Sequence, residues 1–286
     1  MGLRVCFFHS DKPRECILAD AWAQGVKAHG DTIELRRLKP EIELADADVA
    51  VMVGVKSREL YRAHWDAGQH VIMVDKGYTR HAAPGPVKLW EYWRVAVDGH
   101  HPTRTLMNIA RPADRWRALE LSFAPWRTRG KHIVLAGSSA KYHDFYGLWD
   151  PTRWAKKLVK ELKRLTDREI IYRPKPSWRE AVPIDGTTWG NDGSQIEEAL
   201  KGAHALITHG SNAVFEAVQL GVPCVVLGDA VAKPISSTTA EEIEWPKLAS
   251  ETERAQWFAN LAYCQWTLPE IASGKMWEIT RPQIYG

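Results

Sequence analysis

Apolar and polar positions alternate in blocks along the first 75 residues of this 286-residue chain. Short apolar runs that end at polar residues predict strands at 3–9, 32–35, 48–53 and 70–74. Amphipathic stretches predict helices at 14–28 and 57–67. Strands that alternate with helices in this way favour a parallel sheet covered on both faces. A further strand is predicted at 88–97 and a short helix at 112–120.

The periodic signal lapses at 124–130, APWRTRG, and then restarts. The new strands are predicted at 132–135, 169–172, 205–207 and 224–227. The new helices are predicted at 152–165, 194–201, 213–220, 251–264 and 268–273, and a loop is predicted through Trp149. Asp150 and Pro151 are predicted to cap the start of the helix at 152–165. The chain therefore divides into an N-terminal domain at 1–125, a C-terminal domain at 126–275 and a tail at 276–286.

The composition narrows the class of protein. An apolar fraction of 45% is ordinary for a soluble protein, and no segment approaches the ~18–20 uninterrupted apolar residues that span a bilayer. The start, MGLRVCFFHSDK, predicts a strand and not a signal peptide. The four cysteines are scattered, without the spacing of a zinc site or a disulfide framework. They predict buried thiols in a reducing cytoplasm.

The net charge is only +3, but the basic residues concentrate in the middle of the chain. Residues 76–180 hold 22 basic and 10 acidic side chains, against 6 and 13 after residue 180. Such an excess favours a polyanionic partner. A solvated helix face accounts for one group of these cations: Lys156, Lys157, Lys160, Lys163 and Arg164. It accounts less well for the arginines at 94–117, which lie among tryptophans and histidines.

The most informative segment is ALITHGSNAVFEAVQLGVPCVVLGDAVAKPIS, at 205–236. It combines a strand, a polar turn, a helix and a second strand. Gly210 lets a ligand approach the backbone, and Ser211 and Asn212 are good helix caps. The start of the helix then favours an anion, typically phosphate. Glu216, one turn further, is placed to accept hydrogen bonds from a ribose diol. Many turns of this shape bind nothing, but the polar turn and the single acid favour nucleotide binding.

This segment resembles the donor-binding half of the GT-B glycosyltransferases. The resemblance rests on Thr208, His209, Gly210, Ser211, Asn212, Glu216, Gly221 and Pro223. It covers about 131–237 and is weak over the first half of the chain. It implies an α/β GT-B fold, in which two Rossmann-like doubly wound domains face a central cleft. The tail is then expected to pack back on the N-terminal domain.

The resemblance also implies an activity. A GT-B enzyme of this kind is a metal-independent hexosyltransferase with no tightly bound cofactor, and its donor is a nucleotide-diphosphate sugar such as a UDP-sugar. The leaving diphosphate needs stabilising groups that follow strands or begin helices. The residues implied for donor binding are Ser138, Ser139, Arg173, Lys175, His209, Gly210, Ser211, Asn212, Glu216 and Lys233.

The acceptor hydroxyl needs a base, which GT-B enzymes take from the N-terminal domain. Asp75 ends an apolar strand and is the first candidate. Asp11 and His9, which follow the first strand, are its rivals. A carboxylate in such a position also serves as a turn former, so the three candidates stay open.

The sequence leaves two main hypotheses for the identity of the acceptor. The chain resembles small phage-encoded transferases, which implies transfer to a 5-hydroxymethylpyrimidine in double-stranded DNA, in the cytoplasm of the host. The basic residues implied for DNA contact are Lys76, Arg80, Arg94, Arg104 and Arg111. The chain equally resembles capsule-type transferases, which implies a surface polysaccharide or a lipid-linked acceptor. A UDP-sugar 2-epimerase-like enzyme and a non-catalytic nucleotide-sugar or DNA-binding protein are further alternatives.

Sequence motifs of other enzyme classes are absent. The chain contains no G-x-G-x-x-G, Walker A, H-E-x-x-H or G-x-S-x-G motif, and no D-x-D in a sugar-nucleotide setting. Dehydrogenase, kinase, zincin and hydrolase activities therefore have little support. The sugar, the nucleotide, the stereochemistry of transfer and the oligomeric state stay open.

Overall fold

The computed structural model describes residues 2–55, 58–79, 87, 89–190 and 193–284. The chain forms two compact units. The first unit consists of Met1–Arg115 and Ala259–Gly286, and the second of Trp116–Phe258. The sequence predicted these boundaries at residues 125 and 275, so both lie earlier in the chain than expected.

The elements follow each other in the α/β order that the sequence predicted. The strands are β1 (Arg4–His9), β2 (Thr32–Arg37), β3 (Val49–Val53), β4 (His70–Lys76), β5 (Trp93–Val97), β6 (His132–Ala136), β7 (Glu169–Arg173), β8 (Thr188–Trp189), β9 (Ala203–Thr208), β10 (Cys224–Val226) and β11 (Gln265–Trp266). The helices are α1 (Pro13–Lys27), α2 (Arg58–Asp66), α3 (Thr103–Asn108), α4 (Asp114–Ala118), α5 (Ala140–Tyr146), α6 (Pro151–Leu165), α7 (Ile196–Leu200), α8 (Ala213–Gln219), α9 (Glu251–Ala262), α10 (Leu268–Ala272) and α11 (Lys275–Thr280). Short 3₁₀ helices lie at Lys233–Ile235, Ala240–Ile243 and Arg281–Gln283.

The first unit is built on a six-stranded sheet in the order β11-β5-β4-β3-β1-β2. Strands β2, β1, β3 and β4 run parallel, whereas β5 and β11 are antiparallel to their neighbours. All five residues of β3 are buried, as expected of a central strand covered on both faces. Polar residues that follow β1, β3 and β4 therefore share one edge of this sheet.

The tail packs within the first unit. Trp277 donates from Nε1 to the Asp31 carboxylate at 2.7 Å, and Arg281 pairs with the same carboxylate at 2.8 Å. Gly25 on α1 allows a close approach, because a Cβ there would lie 2.0 Å from the carbonyl oxygen of Ile271. The end of the chain is thus anchored by the ion pair to the segment that follows α1, and by backbone contact at Gly25 to α1 itself.

The second unit is built on a five-stranded parallel sheet in the order β10-β9-β6-β7-β8. In chain order these are the fifth, fourth, first, second and third strands, which is the Rossmann order. Helix α6 covers the sheet with buried Ala155, Leu158, Val159 and Leu162. Asp150 caps α6 by accepting from the backbone N–H groups of Thr152 and Arg153, as the sequence predicted.

Several elements differ from the sequence prediction, among them the short strands β8 and β11 and helix α11, which were not foreseen. The predicted loop through Trp149 contains α5, α3 was not foreseen, and β5 begins at Trp93 although the strand was predicted from residue 88, which lies outside the described residues. Helix α5 has no apolar periodicity, but Ser139 caps it and Gly147 ends it in the left-handed region at φ 64°. Within the described residues, no helix combines the length and the apolar character needed to cross a membrane.

Candidate active site

The ends of two neighbouring strands define the candidate site in the second unit. Strands β6 and β9 lie side by side, and the connections that follow them leave in opposite directions, because β7 and β8 lie beyond β6 while β10 lies beyond β9. Ligands of doubly wound sheets bind at the carboxyl ends of the strands, at this switch point. The two loops that the sequence predicted to bind the donor, at 137–139 and 209–212, follow these two strands.

Thr208 joins the two strand ends. Its side chain is fully buried, and its hydroxyl donates to the carbonyl oxygen of Ala136 at 2.7 Å. The same hydroxyl oxygen accepts from the backbone N–H of Ser211 at 3.0 Å. The loop after β9 is therefore held against the end of β6.

Three serine hydroxyls on these loops retain uncommitted protons. Ser138 is 5% exposed, and its Oγ has no hydrogen-bond partner among the described residues. Ser139 accepts from the backbone N–H of Tyr142 at 3.4 Å, and Ser211 accepts from that of Ala213 at 3.3 Å. A hydroxyl that accepts one bond still has a proton to donate. The site thus offers three neutral hydrogen-bond donors to an anion.

Asn212 does not act as the sequence predicted. It precedes α8 with helical backbone angles, and its side chain does not cap the helix. An N-cap side chain needs an extended backbone to reach the N–H groups of the first helical turn that follows it, and Asn212 has helical backbone angles instead. Ser211 bonds to the start of α8 in its place. Helix α8 has only seven residues, so its dipole is a minor contribution.

His209 is fixed as a neutral acceptor. The Tyr142 hydroxyl donates to the carbonyl oxygen of Asp229 at 3.0 Å, so His209 Nδ1, 3.1 Å away, must donate to the Tyr142 oxygen. Burial is the main reason that the pKa of His209 is lowered to about 4; His143 and Lys233 act in the same direction and Asp229 against it. At neutral pH its Nε2 therefore carries a lone pair. This nitrogen suits a sugar or ribose hydroxyl better than the phosphate that the sequence predicted.

Two glycines make this arrangement possible. A Cβ on Gly210 would lie 1.7 Å from the Tyr142 hydroxyl, and a Cβ on Gly228 would lie 2.0 Å from the His209 ring. Any side chain at either position would displace the His209–Tyr142 contact. Tyr146 adds a bond from its hydroxyl to the Asp229 carboxylate at 2.6 Å. The loop after β10 is thus tied to α5.

The remaining residues that the sequence predicted to bind the nucleotide sugar differ in burial and in hydrogen bonding. Arg173 is buried and donates to the Gly190 carbonyl oxygen at 2.6 Å, to the Ser194 hydroxyl at 3.2 Å and to the Ser194 carbonyl. These bonds hold the loop after β8 and compete with the phosphate contact that the sequence predicted. Lys175 and Lys233 are exposed, and Glu216 is buried on α8.

Asp75, the first candidate base, is half-buried and lies against buried polar side chains of the first unit. Its carboxylate lies 3.3 Å from Arg94 and 3.9 Å from His100, and it accepts from the backbone N–H of Lys76 at 2.7 Å. Burial alone would raise its pKa, but the hydrogen bond with His100 and the charge of Arg94 outweigh burial and lower it. A carboxylate stabilised in this way is a poor general base.

The two other candidate bases, Asp11 and His9, differ in the contacts that their side chains make. Asp11 is exposed and forms a 3.0 Å ion pair with Arg37. His9 places Nδ1 3.1 Å from the carbonyl oxygen of Ser10. Because that oxygen only accepts, Nδ1 donates to it, and in the neutral tautomer Nε2 is the acceptor. Among the three, His9 has the geometry of a base.

Among the described residues, the cations predicted for DNA contact do not form an open basic surface. Arg94 is fully buried and cannot reach a phosphate, so this prediction is wrong. Arg104 is exposed and lies 3.7 Å from Asp98, Arg111 lies over the Tyr263 ring at 5.6 Å, and Lys76 is half-buried. Arg80 lies outside the described residues.

Sequence reasoning missed Tyr142 and Asp229, which orient His209. Both depend on α5, which was predicted as a loop. Its signal was present in Ser139 as a cap and Gly147 as a terminator. Across the described part of the chain, no group of three or more His, Cys, Asp or Glu residues is arranged to hold a metal ion.

Comparison with known proteins places the fold. The chain is similar to the β-Kdo 2,4 transferase of KpsC from Thermosulfurimonas dismutans, with a TM-score of 0.56 and 13% identity over 91% of this chain and 90% of that one. It is also similar to the β-Kdo 2,7 transferase of the same KpsC, with a TM-score of 0.56 and 15% identity over 98% and 99%. Its sequence matches no protein-family model and no curated protein. The chain shares the α/β fold of these two transferase structures, and the predicted fold class is confirmed.

Proposed function

We propose that this protein is a glycosyltransferase that moves a sugar from a nucleotide-diphosphate sugar to a hydroxyl acceptor. The observation that supports this most is the set of uncommitted serine protons at the β6–β9 switch point. A buried hydroxyl without a partner is unfavourable by about 1–3 kcal/mol. Ser138 therefore points to a ligand that supplies the missing acceptor, and phosphate oxygens are strong acceptors.

The proposed donor site separates two kinds of contact. Ser138, Ser139 and Ser211 donate to the diphosphate, whose charge grows as the bond to the sugar breaks. Hydrogen bonds that strengthen with this growing charge lower the barrier. His209 accepts from a hydroxyl of the donor through Nε2, and Tyr142 holds its ring in place. Lys233, which is close enough to lower the pKa of His209, adds positive charge.

For the acceptor we propose His9 as the base. Its Nε2 takes the proton of the acceptor hydroxyl while the Ser10 carbonyl fixes the tautomer. Histidine is a common general base in enzymes. Asp75 has a different role in this proposal, because its charge offsets that of the buried Arg94.

The proposed function is tested by two experiments, one on binding of the nucleotide and one on transfer of the sugar to an acceptor. In the first, calorimetric titration measures the affinity of the protein for UDP and other nucleoside diphosphates. In the second, the protein is incubated with nucleotide sugars and either 5-hydroxymethylated duplex DNA or a lipid-linked or polysaccharide acceptor, and the products are identified by mass spectrometry. Sugar appearing on either acceptor, together with free nucleotide, supports the proposal.

Two variants sharpen this experiment. His209→Asn retains a donor in the position of Nδ1 but lacks the Nε2 acceptor, so it is expected to lose donor affinity while it keeps the Tyr142 contact. His9→Gln is expected to lose turnover while UDP affinity is unchanged. A nucleotide sugar that is converted without any acceptor indicates an epimerase instead. Nucleotide binding without turnover of any donor indicates a binding protein, and no binding of any nucleotide overturns the proposal.

A further inference from the structure

Helix α6 carries an exposed basic face. Six cations lie on it, all exposed: Arg153, Lys156, Lys157, Lys160, Lys163 and Arg164. At 3.6 residues per turn they fall within an arc of about 120° and span roughly 16 Å along the helix axis. The opposite face of α6 is packed in the core of the second unit. The basic face is therefore displayed by a rigid element.

These cations are not neutralised by neighbouring acids. Across the part of the chain that the structure describes, none of the six forms an ion pair within 4.0 Å. Glu161, the acid within the helix, lies at the edge of the arc. Asp150 is engaged at the start of α6, where it accepts from two backbone N–H groups. A face that only interacted with water would gain from such pairs, and its charge makes it complementary to an anionic surface.

An exposed tryptophan lies at one end of this face. Trp149 is 45% exposed, and its ring lies 4.8 Å from Lys157 Nζ and 4.5 Å from the guanidinium carbon of Arg153. Because these cations already lie over the indole ring, the ring is poorly placed to stack on a nucleobase. A tryptophan flanked by lysine and arginine is typical of the headgroup region of a bilayer.

We propose that the α6 face and Trp149 dock the protein on an anionic phospholipid surface. The headgroup phosphates pair with the exposed cations, and the open edge of the Trp149 indole enters the headgroup region. Lysines predominate in this face, and they act as point charges that suit a fluid anionic surface more than the fixed geometry of a nucleic acid. This inference does not depend on the proposed transferase activity.

The experiment uses the full chain and vesicles of two compositions. Sedimentation is measured with vesicles of phosphatidylglycerol and phosphatidylcholine, and with vesicles of phosphatidylcholine alone. Wild type is expected to sediment only with the first, and less so as salt rises. The variant Lys156→Gln/Lys160→Gln/Lys163→Gln is expected to lose binding on the order of a hundredfold, at about fivefold for each charge. Exposed lysines can be replaced in this way without loss of the fold, which circular dichroism verifies.

A matched control removes the same charge elsewhere. Lys12→Gln/Lys27→Gln/Lys201→Gln has the same net charge, and its positions are also exposed, so it is expected to sediment like wild type. Trp149→Ala is expected to weaken binding without changing its dependence on salt. Equal loss in both triple variants would mean that only net charge matters and would overturn the proposal. The proposal would also be overturned if the wild-type protein did not sediment with anionic vesicles. The same holds if the wild-type protein bound duplex DNA more tightly than anionic vesicles at equal phosphate concentration.

Discussion

Replacing Ser138 by alanine should raise the stability of the free protein and lower its affinity for nucleotide. The side chain is 5% exposed and Oγ has no partner among the described residues. An unsatisfied buried hydroxyl is unfavourable by about 1–3 kcal/mol, and alanine removes it without adding volume. The variant Ser138→Ala is therefore expected to unfold with a free energy about 1 kcal/mol higher than that of wild type.

The effect on binding has the opposite sign. In the proposed site the Ser138 hydroxyl donates to a charged phosphate oxygen, a bond that contributes about 1.5–3 kcal/mol. Loss of that bond raises the dissociation constant for UDP by roughly 10- to 100-fold. Stability is measured by urea denaturation without ligand, and affinity by calorimetric titration with UDP.

A second serine provides the control. Ser236 is also 5% exposed, but its hydroxyl donates to the Ala232 carbonyl oxygen at 2.7 Å. Ser236→Ala is expected to lower the free energy of unfolding by about 1 kcal/mol. If Ser138→Ala were also less stable than wild type, its hydroxyl would have a partner after all. If UDP bound the variant as it binds wild type, Ser138 would lie outside the donor site.

Other regions of the structure give three further predictions. Gly210→Ala places a Cβ against the Tyr142 hydroxyl, so it is expected to lower the free energy of unfolding by about 1–3 kcal/mol in urea titrations. Burial lowers the pKa of His209 from 6.5 to about 4, so the unfolded chain binds a proton at this residue more readily than the folded chain does. The contribution of His209 to the free energy of unfolding is therefore fully present above pH 6.5 and is lost as the pH falls toward 4. Equal urea midpoints at pH 7 and pH 5 would contradict this. Arg115→Met removes the ion pair with Glu270 and is expected to reduce stability by about 2–3 kcal/mol by calorimetry, while a loss below about 0.5 kcal/mol would mean that the pair behaves as an exposed one.

The sequence was sufficient for the elements whose apolar pattern is continuous. Strands β3, β6 and β9 are buried along their whole length, and each was predicted from an uninterrupted apolar run. Helix α6 was predicted from its period and from its cap. For these elements local preference and tertiary burial agree, so the local pattern is enough to identify them.

Short elements that depend on tertiary contact were not predictable in this way. Helix α5 reads AKYHDFY, which mixes polar and aromatic residues without a 3.6-residue period. Strand β11 has two residues, and it is defined only by its pairing with β5. Such elements are stabilised by what they contact, and a local pattern cannot display those contacts.

The candidate site was predicted in part. The sequence identified the loops after β6 and β9, because a Gly- or Ser-containing turn after a strand has a local signature. It did not identify the protonation of His209, which depends on a tyrosine 67 residues earlier in the chain. Nor could it show that the Arg173 guanidinium donates hydrogen bonds to the carbonyl oxygens of Gly190 and Ser194. Roles that depend on a distant partner need the fold.

The basic middle of the chain shows what a count of charges leaves out. The arginines at 94 and 115 are buried or nearly so, and each is paired with a carboxylate, so neither contributes an open positive surface. Asp75 and Arg94 are opposite each other in the antiparallel register of β4 and β5, which no local pattern indicates. The six cations of α6, five of which the sequence alone explained as a solvated face, lie together on one exposed helix face, and within the described residues none of them forms an ion pair within 4.0 Å. Because a cation attracts a partner only where no acid already neutralises it, the surface to test for an anionic partner is α6 and not the arginine-rich stretch.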